Sequence, residues 1–259
     1  MLVVDAETGV INPQHCVEEW IDNRVNMIFF DRYFNWEISS ASYLVRNSKF
    51  SRNFLQGLAR WEFEPLPSWN SYDQGAFLVH LLQTLYPHAA WEVRSCTEYW
   101  YRASSYQTYM ATVMCVRESL GARRLWPGKV RIYHKAHGWT RDAWIAHGLW
   151  SEPDFMLHAW REDASHDEYP FLKDINMDLC NGSLAAWQWN PKLRLSTSQM
   201  KNALAESEEY YRTEFPNKGR IITFLDNPEI AECYPRCEVL QPFSLKHLGA
   251  NGSTKDKPA

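Results

Sequence analysis

The chain has no uninterrupted apolar run of 18 residues, so the sequence predicts no membrane-spanning helix. It also lacks an excess of basic residues, since its net charge is −4 and its isoelectric point lies near 6.1. This balance gives no electrostatic footprint for nucleic acid, and we expect no nucleic-acid partner. No internal repeat is evident, which excludes a repeat architecture.

The six cysteines include no Cys-x-x-Cys pair, and no second pair of cysteines or histidines lies at zinc-ligand spacing. Disulfide bonds in an oxidising compartment fit these cysteines better, although the spacing leaves their pairing open. Two Asn-x-Ser sequons, at Asn181 and Asn251, agree with a glycoprotein of the secretory pathway.

With 259 residues, of which 45% are hydrophobic, the chain can bury one substantial core. Its 13 tryptophans and 13 tyrosines suit either core packing or carbohydrate stacking, and core packing is the more frequent use. Apolar runs alternate with helical patterns, which predicts an α/β fold. We expect strands at 2–4, 27–30, 41–46, 129–133, 155–158 and 220–225. We expect helices at 12–24, 76–85, 104–120 and 196–215, and one from 50 onward that Asn47-Ser48 caps. Residues 1–237 form the predicted domain, and the polar residues 238–259 form a predicted disordered tail.

The opening stretch has the clearest chemistry in the chain. Residues 2–4 form a short apolar run that leads into Asp5 and Glu7, and Thr8-Gly9 then turn the chain. Such a run predicts a buried strand at the centre of a parallel sheet, and ligands bind beyond the carboxyl ends of such strands. On an extended segment both carboxylates point the same way and can face one Mn²⁺ or Mg²⁺ ion. The alternative is a helix N-terminus, since an Asn-Pro pair follows.

Two later segments also place polar groups at the ends of apolar elements. Asp73 and Gln74 precede a predicted helix, and His158 ends the apolar run 155–158. Two carboxylates and one imidazole form half of an octahedral shell for Mn²⁺, which leaves positions for diphosphate oxygens and water. Arg161 follows closely and can meet the same phosphates. The alternatives are a core histidine bonded to the backbone and, for Asp73, a helix N-cap.

These segments resemble those of the GT-A glycosyltransferases. Residues 5–13 resemble the Asp-x-Asp segment, which ends a strand in that family and holds the divalent metal of a nucleotide-sugar. In the same order, residues 41–55 are similar to the strand and helix beside the donor sugar, 72–76 to an Asp-Gln helix start, and 154–161 to the late histidine segment. The resemblance is closest to a domain-of-unknown-function family of predicted GT-A transferases that is expanded in nematodes. It is more distant to the retaining α-galactosyl-, mannosyl- and xylosyltransferases of yeast and plants.

Three positions depart from the family pattern. Glu7 stands where aspartate is usual, residues 39–42 lack the expected glycine and asparagine, and Ala159 stands where a glycine is expected. The resemblance implies a GT-A-like (Rossmann-like) mixed sheet with flanking helices, of which this chain carries the C-terminal portion. We expect its N-terminal strands, and any membrane anchor of a type II membrane protein, to lie in a preceding part of a longer chain.

The resemblance implies a metal-dependent transferase of the Golgi lumen. It would move a hexose from a nucleotide-diphosphate sugar to a hydroxyl of a glycan or glycoprotein acceptor, with retention of configuration. In this hypothesis Mn²⁺ or Mg²⁺ is held by Asp5, Glu7 and His158, the anomeric carbon is faced by Asp73 and Gln74, and substrate is bound by Asn35, Trp36, Trp160 and Arg161.

Two other functions compete with this hypothesis. A non-catalytic carbohydrate-binding pseudoenzyme is favoured by the departures near the sugar site. A glycoside hydrolase would need two carboxylates about 5–9.5 Å apart on either side of a bond. A pair of carboxylates spaced i, i+2 on one strand suits chelation better, so the hydrolase ranks last.

Overall fold

The computed structural model describes residues 1–33, 35–64, 69, 73–159, 178, 190–214, 222–225 and 228–238. Its strands are β1 (Leu2–Val4), β2 (Gly9–Val10), β3 (Met27–Phe30), β4 (Ser42–Val45), β5 (Leu125–Trp126), β6 (Val130–Tyr133), β7 (Thr140–Asp142) and β8 (Met156–His158). Its α-helices are α1 (Lys49–Ala59), α2 (Asp73–Leu85), α3 (Ala90–Tyr101), α4 (Tyr106–Leu120), α5 (Thr197–Glu214) and α6 (Ile230–Cys233).

The strands form two sheets. The larger has five strands in the order β1-β4-β3-β6-β5, and the smaller has three in the order β2-β8-β7. In the larger sheet β3 runs parallel to β6 and antiparallel to β4. The molecule is therefore an α/β protein with mixed sheets and flanking helices, which confirms the predicted fold at that level.

The opening strand β1 lies at the edge of the larger sheet, so its predicted place at the centre of a parallel sheet is wrong. Among the described strands it pairs with β4 alone, in antiparallel register that sets Leu2 opposite Leu44. Leu2 and Val3 are half-buried as a result, and Val4 is 41% exposed. An apolar run of three residues cannot distinguish an edge strand from a central one, because both bury at least one face.

The main hydrophobic core lies between the central strand β3 and the helices α1 to α4. All four residues of β3 are buried, and the ring of Phe29 lies 6.0 Å from that of Phe54 on α1 and 5.0 Å from that of Phe77 on α2. Helix α1 begins where expected, because the Ser48 hydroxyl accepts a hydrogen bond from the amide of Ser51 as an N-cap. A disulfide between Cys96 and Cys115 joins α3 to α4.

The structure differs from the sequence prediction at three other elements. Helix α3 was not predicted, since its buried positions are few among exposed polar and aromatic residues. The helix predicted at 12–24 is only a 3₁₀ turn at Val17–Trp20, where the buried Trp20 indole donates to the carbonyl of His137 at 2.6 Å. This tertiary contact fixes the segment against the connection between β6 and β7. Of the strand predicted at 220–225, the described residues contain a 3₁₀ turn at Thr223–Leu225.

The C-terminal part packs helices α5 and α6 together, and α6 carries Cys233, which is bonded to Cys237. Glu238 was predicted to begin a disordered tail, but its carboxylate accepts from the His134 amide at 2.7 Å and from Arg131 at 3.0 Å. The folded part therefore includes residue 238, while 239–259 lie outside the described residues. None of the helices that the structure describes is both long and apolar enough to cross a membrane.

A buried ion pair ties α4 to the end of the central strand. Asp31 follows β3 and accepts hydrogen bonds from Arg117 on α4, at 2.9 Å, and from Arg124. Burial alone would raise the pKa of Asp31, but the two guanidinium groups lower it below its usual value. Asp31 is therefore ionised in the folded protein, and it is the counter-charge of the buried Arg117 and the half-buried Arg124.

We predict that Asp31→Asn lowers the free energy of unfolding by about 3–5 kcal/mol at neutral pH, because it leaves two guanidinium groups without a counter-charge. Chemical denaturation measures this loss. The exposed Glu118 on α4 provides the control, and Glu118→Gln should change stability by no more than about 0.5 kcal/mol.

The pH dependence of stability tests the same ion pair. The pKa of Asp31 is lowered in the folded protein, so its contribution to the free energy of unfolding is present above the unfolded pKa of about 4 and is lost as pH falls. The difference between wild type and Asp31→Asn should therefore narrow in acid, and a constant difference would contradict the assignment.

We predict that the two disulfides contribute unequally to the free energy of unfolding. The loop between Cys96 and Cys115 spans 19 positions and that between Cys233 and Cys237 spans 4. The chain-entropy relation then gives about 3 kcal/mol for the first bond and about 2 kcal/mol for the second. Urea denaturation of the two double serine variants tests this order, which is wrong if the shorter loop contributes more.

Candidate functional site

The smaller sheet brings the opening segment and the histidine segment side by side. Strand β2, which follows Asp5 and Glu7, pairs antiparallel with β8, with Gly9 opposite Leu157. Extending this register by one residue sets Thr8 opposite His158, the last residue of β8. Two segments far apart in the sequence therefore meet at one edge of the molecule.

The Asp5–Glu7 segment is a turn, not an extended strand. The Asp5 carboxylate accepts a hydrogen bond from the Glu7 amide at 3.0 Å, and the Asp5 carbonyl accepts from the Thr8 amide at 3.0 Å. This is the side-chain turn that aspartate favours. The prediction that the two carboxylates share one face of an extended segment is therefore wrong. The Asp5 side chain is exposed.

The segment before β4 borders all three of the predicted site segments. The amide of Asp5 donates to the carbonyl of Ala41 at 2.8 Å, and Ser40 donates to Gln74 from its amide at 3.0 Å and its hydroxyl at 2.6 Å. Ser39 lines a narrow cleft together with His158. Residues 39–41 thus lie between the Asp5 turn, the start of α2 and the end of β8.

Gln74 holds this segment in place. Its side-chain oxygen accepts both bonds from Ser40, and its side-chain nitrogen donates to the Ile38 carbonyl at 2.7 Å. Both ends of the amide are therefore bonded within the protein, and the predicted role of Gln74 at the anomeric carbon stays a prediction. Asp73, the first residue of α2, has an exposed side chain.

His158 forms a pair with a carboxylate that the sequence did not identify. Its Nδ1 lies 2.8 Å from Oδ1 of Asp142, the last residue of the parallel neighbour β7. The alternative of a core histidine bonded to the backbone is therefore not what the structure shows. Arg32 donates to both oxygens of the same carboxylate, at 2.8 Å and 3.1 Å. Burial would raise the pKa of Asp142, but Arg32 and His158 lower it below its usual value.

Arg32 has a second carboxylate partner, Glu37, at 3.2 Å. Glu37 in turn accepts from the Asn35 side-chain amide at 2.7 Å and from the Tyr109 hydroxyl at 2.6 Å. Asn35 also donates to the hydroxyl of Tyr106, and burial is the main cause that raises the pKa of Tyr106 to about 12. A buried polar network therefore runs from α4 to His158.

Asn35 and Trp36, both predicted to bind substrate, are buried. The Asn35 side chain is used in this network, and the Trp36 indole belongs to the main hydrophobic cluster. In the described structure both side chains contact protein groups, so their binding role stays a prediction. The other two predicted substrate-binding residues, Trp160 and Arg161, lie outside the described residues.

Ala159 has a left-handed backbone, with φ of 54°. Glycine adopts this conformation freely, whereas a side chain is strained there at a cost of about 1–2 kcal/mol. A glycine after the histidine would adopt this conformation without strain, and here an alanine occupies it.

The residues of the predicted metal shell do not close around a common point. Across the described ranges, no three histidine, cysteine, aspartate or glutamate side chains converge at metal-binding distance. The donor types of Asp5, Glu7 and His158 nevertheless fit a hard divalent cation, and the paired strands bring their segments together.

Three residues at this edge were missed by the sequence analysis: Arg32, Asp142 and Trp144. Arg32 and Asp142 each lie at or just after the end of a strand, which is the signal that pointed to His158. Trp144 is 36% exposed, and its ring lies 6.2 Å from that of His158 and 5.5 Å from the Arg32 guanidinium. Its exposed face offers an aromatic surface against which a ligand can pack.

Comparison with known proteins places the chain in a family. Residues 1–171 match the family described as "Protein of unknown function, DUF273", which covers more than half of the 259 residues. The chain belongs to this family. The matched range contains the Asp5 turn, residues 39–41, the start of α2 and His158. No curated protein and no solved structure matches the chain.

We predict that Gln74→Ala lowers the free energy of unfolding by about 2–3 kcal/mol, because it removes three hydrogen bonds to residues 38–40 at about 1 kcal/mol each. Thermal or chemical denaturation measures the loss. Gln83 lies on the same helix with an exposed side chain, so Gln83→Ala is a matched control and should be close to neutral. Equal effects of the two substitutions would show that Gln74 does not position this segment.

Proposed function

We propose that this protein is a metal-dependent glycosyltransferase with a GT-A-like fold. It moves a hexose from a nucleotide-diphosphate sugar to a hydroxyl of a glycan or glycoprotein acceptor, with retention of configuration. The observation that carries the proposal is the pairing of β2 with β8, which brings the Asp5–Glu7 turn beside the strand that ends in His158. An acidic segment and a late histidine segment meeting at one edge is the arrangement that the resemblance implies.

The surroundings of this edge support the same function. Residues 39–41, which resemble the segment beside the donor sugar, lie between the Asp5 turn and α2 through the bonds of Ala41 and Ser40. The exposed carboxylate of Asp73 begins α2 next to Gln74. The grouping of the Asp5 turn, Asp73 and Gln74 around one short segment supports the proposal.

The proposal gives the predicted metal, phosphate and sugar-site residues different roles. Asp5, Glu7 and His158 hold Mn²⁺ or Mg²⁺, and Arg161 contacts the diphosphate. A bound divalent cation neutralises negative charge on the leaving diphosphate. Asp73 lies near the anomeric carbon and stabilises positive charge that develops there. Gln74 acts indirectly, since its amide holds residues 38–40 in position.

The disulfides support a protein of the secretory pathway, with the Golgi lumen as the proposed site of action. Two cysteine pairs, Cys96–Cys115 and Cys233–Cys237, are bonded in the structure. Disulfides persist in oxidising compartments and are rare in the cytosol.

A second candidate function is glycan binding without transfer. It is favoured by the open arrangement of Asp5, Glu7 and His158, since no group of three metal donors converges within the described residues. The exposed ring of Trp144 would serve a sugar-binding site in either case. The two candidates differ in whether the protein binds a nucleoside diphosphate in a metal-dependent way.

We predict that UDP or GDP binds in the presence of Mn²⁺ and that Asp5→Asn weakens this binding by at least about tenfold, since losing a carboxylate ligand weakens metal retention. Isothermal titration with and without Mn²⁺ measures both effects. The exposed Glu18, in the nearby 3₁₀ turn, gives the control Glu18→Gln, which should bind like the wild type.

Nucleotide binding that needs neither Mn²⁺ nor Asp5 would remove the metal role. Binding to a glycan array without any nucleoside diphosphate binding would favour the second candidate. Hydrolysis or transfer from a UDP- or GDP-hexose, lost in Asp5→Asn, would support the transferase.

A further inference from the structure

The Asp142–His158 pair determines which nitrogen of the imidazole carries the proton. The two side chains are only 7% and 16% exposed, and Nδ1 of His158 lies 2.8 Å from Oδ1 of Asp142. An ionised carboxylate can only accept a hydrogen bond, so Nδ1 must be the donor. The neutral imidazole then carries its lone pair on Nε2. Among the described residues, no hydrogen bond involves Nε2.

Asp142 is itself held from the other side. Arg32 donates to both of its oxygens, which gives the two-point geometry that fixes a carboxylate in the plane of the guanidinium. Arg32 is fixed in turn by Glu37, which accepts from Tyr109 on α4. The carboxylate beside His158 therefore has little freedom to rotate or to leave the imidazole.

The location of the pair connects it to the proposed site. Asp142 and His158 are the last residues of the parallel strands β7 and β8 and are paired in register. On its other side β8 pairs with β2, which follows the Asp5–Glu7 turn. Carboxylate–histidine pairs of this kind orient the imidazole of metal ligands and raise its basicity.

We propose that Asp142 is a positioning residue that holds His158 as the Nδ1–H tautomer, so that Nε2 is the atom that binds the divalent cation. The metal-binding part of this inference rests on the proposed function. The tautomer part concerns the protein without metal. Loss of such a carboxylate in other enzymes leaves the histidine in place but in the wrong tautomer.

The first experiment measures the tautomer in the metal-free protein. With ¹⁵N-labelled histidine, long-range ¹H–¹⁵N correlation spectra at a pH where the ring is neutral distinguish Nδ1–H from Nε2–H, and the His158→Gln variant assigns the signal. We expect the wild type to show Nδ1–H. A wild-type His158 with its proton on Nε2 overturns the proposal, whatever the variants do.

The variants then test the role of Asp142. Asp142→Asn should lose the preference for Nδ1–H, because an asparagine can donate to Nδ1 as well as accept from it. Asp154 is a matched control, since it is also a buried carboxylate bonded to an arginine, Arg141, at 3.0 Å. Asp154→Asn should leave the His158 tautomer unchanged. If Asp142→Asn keeps the wild-type tautomer, or if Asp154→Asn alters it equally, Asp142 is not the positioning residue.

A titration with Mn²⁺ separates this inference from the proposed function. Paramagnetic broadening of the His158 ring signals reports Mn²⁺ bound close to the ring, and Asp142→Asn should weaken this binding by about 10- to 100-fold. If Mn²⁺ leaves the His158 signals unchanged in a protein with the Nδ1–H tautomer, the metal assignment fails and the positioning role stands. If Mn²⁺ broadens them equally in wild type and Asp142→Asn, the metal assignment stands and the positioning role fails.

Discussion

The guanidinium of Arg32 joins the two sheets of this protein. Arg32 comes two residues after β3, the central strand of the larger sheet, and its main partner Asp142 is the last residue of β7 in the smaller sheet. Burying a cation is costly unless its charge is balanced and its donors are used. Asp142 and Glu37 each supply a negative charge to Arg32 here. Asp142 is also bonded to His158, and Glu37 to Tyr109. The ends of the two sheets are therefore held together by a network in which each charge depends on its neighbours.

The candidate site lies beside this ionic network. Strand β8 ends in His158 beside the network. On the side of β8 away from β7, it pairs with β2, which follows the Asp5 turn. Residues 39–41 lead into β4 at the same place, fixed by Gln74. The apolar strands bring these segments to one edge, while polar contacts set their orientation. Packing and ionic bonds therefore act together to position the segments at this edge.

Sequence reasoning succeeded where the signal was local. The apolar run of β3, the Ser48 cap of α1 and the amphipathic pattern of α5 depend on neighbouring residues, and all three elements formed as expected. It failed where partners distant in the sequence decide the outcome. An apolar run does not show that β1 lies at an edge, and an i, i+2 spacing does not show that Asp5 folds its carboxylate back onto the Glu7 amide. The partner of His158 could not be identified either, because Asp142 meets it only through the parallel pairing of β7 and β8.

The bond between Cys96 and Cys115 closes a ring that contains the end of α3, the short connection at 102–105 and most of α4. The polypeptide inside this ring is connected to the rest of the molecule by two routes, one along the backbone and one through sulfur. A protease that cuts the connection adds one water to the mass but releases no fragment. Two pieces separate on a gel only after the sulfur–sulfur bond has been reduced, so under oxidising conditions such a nicked molecule migrates as a single species.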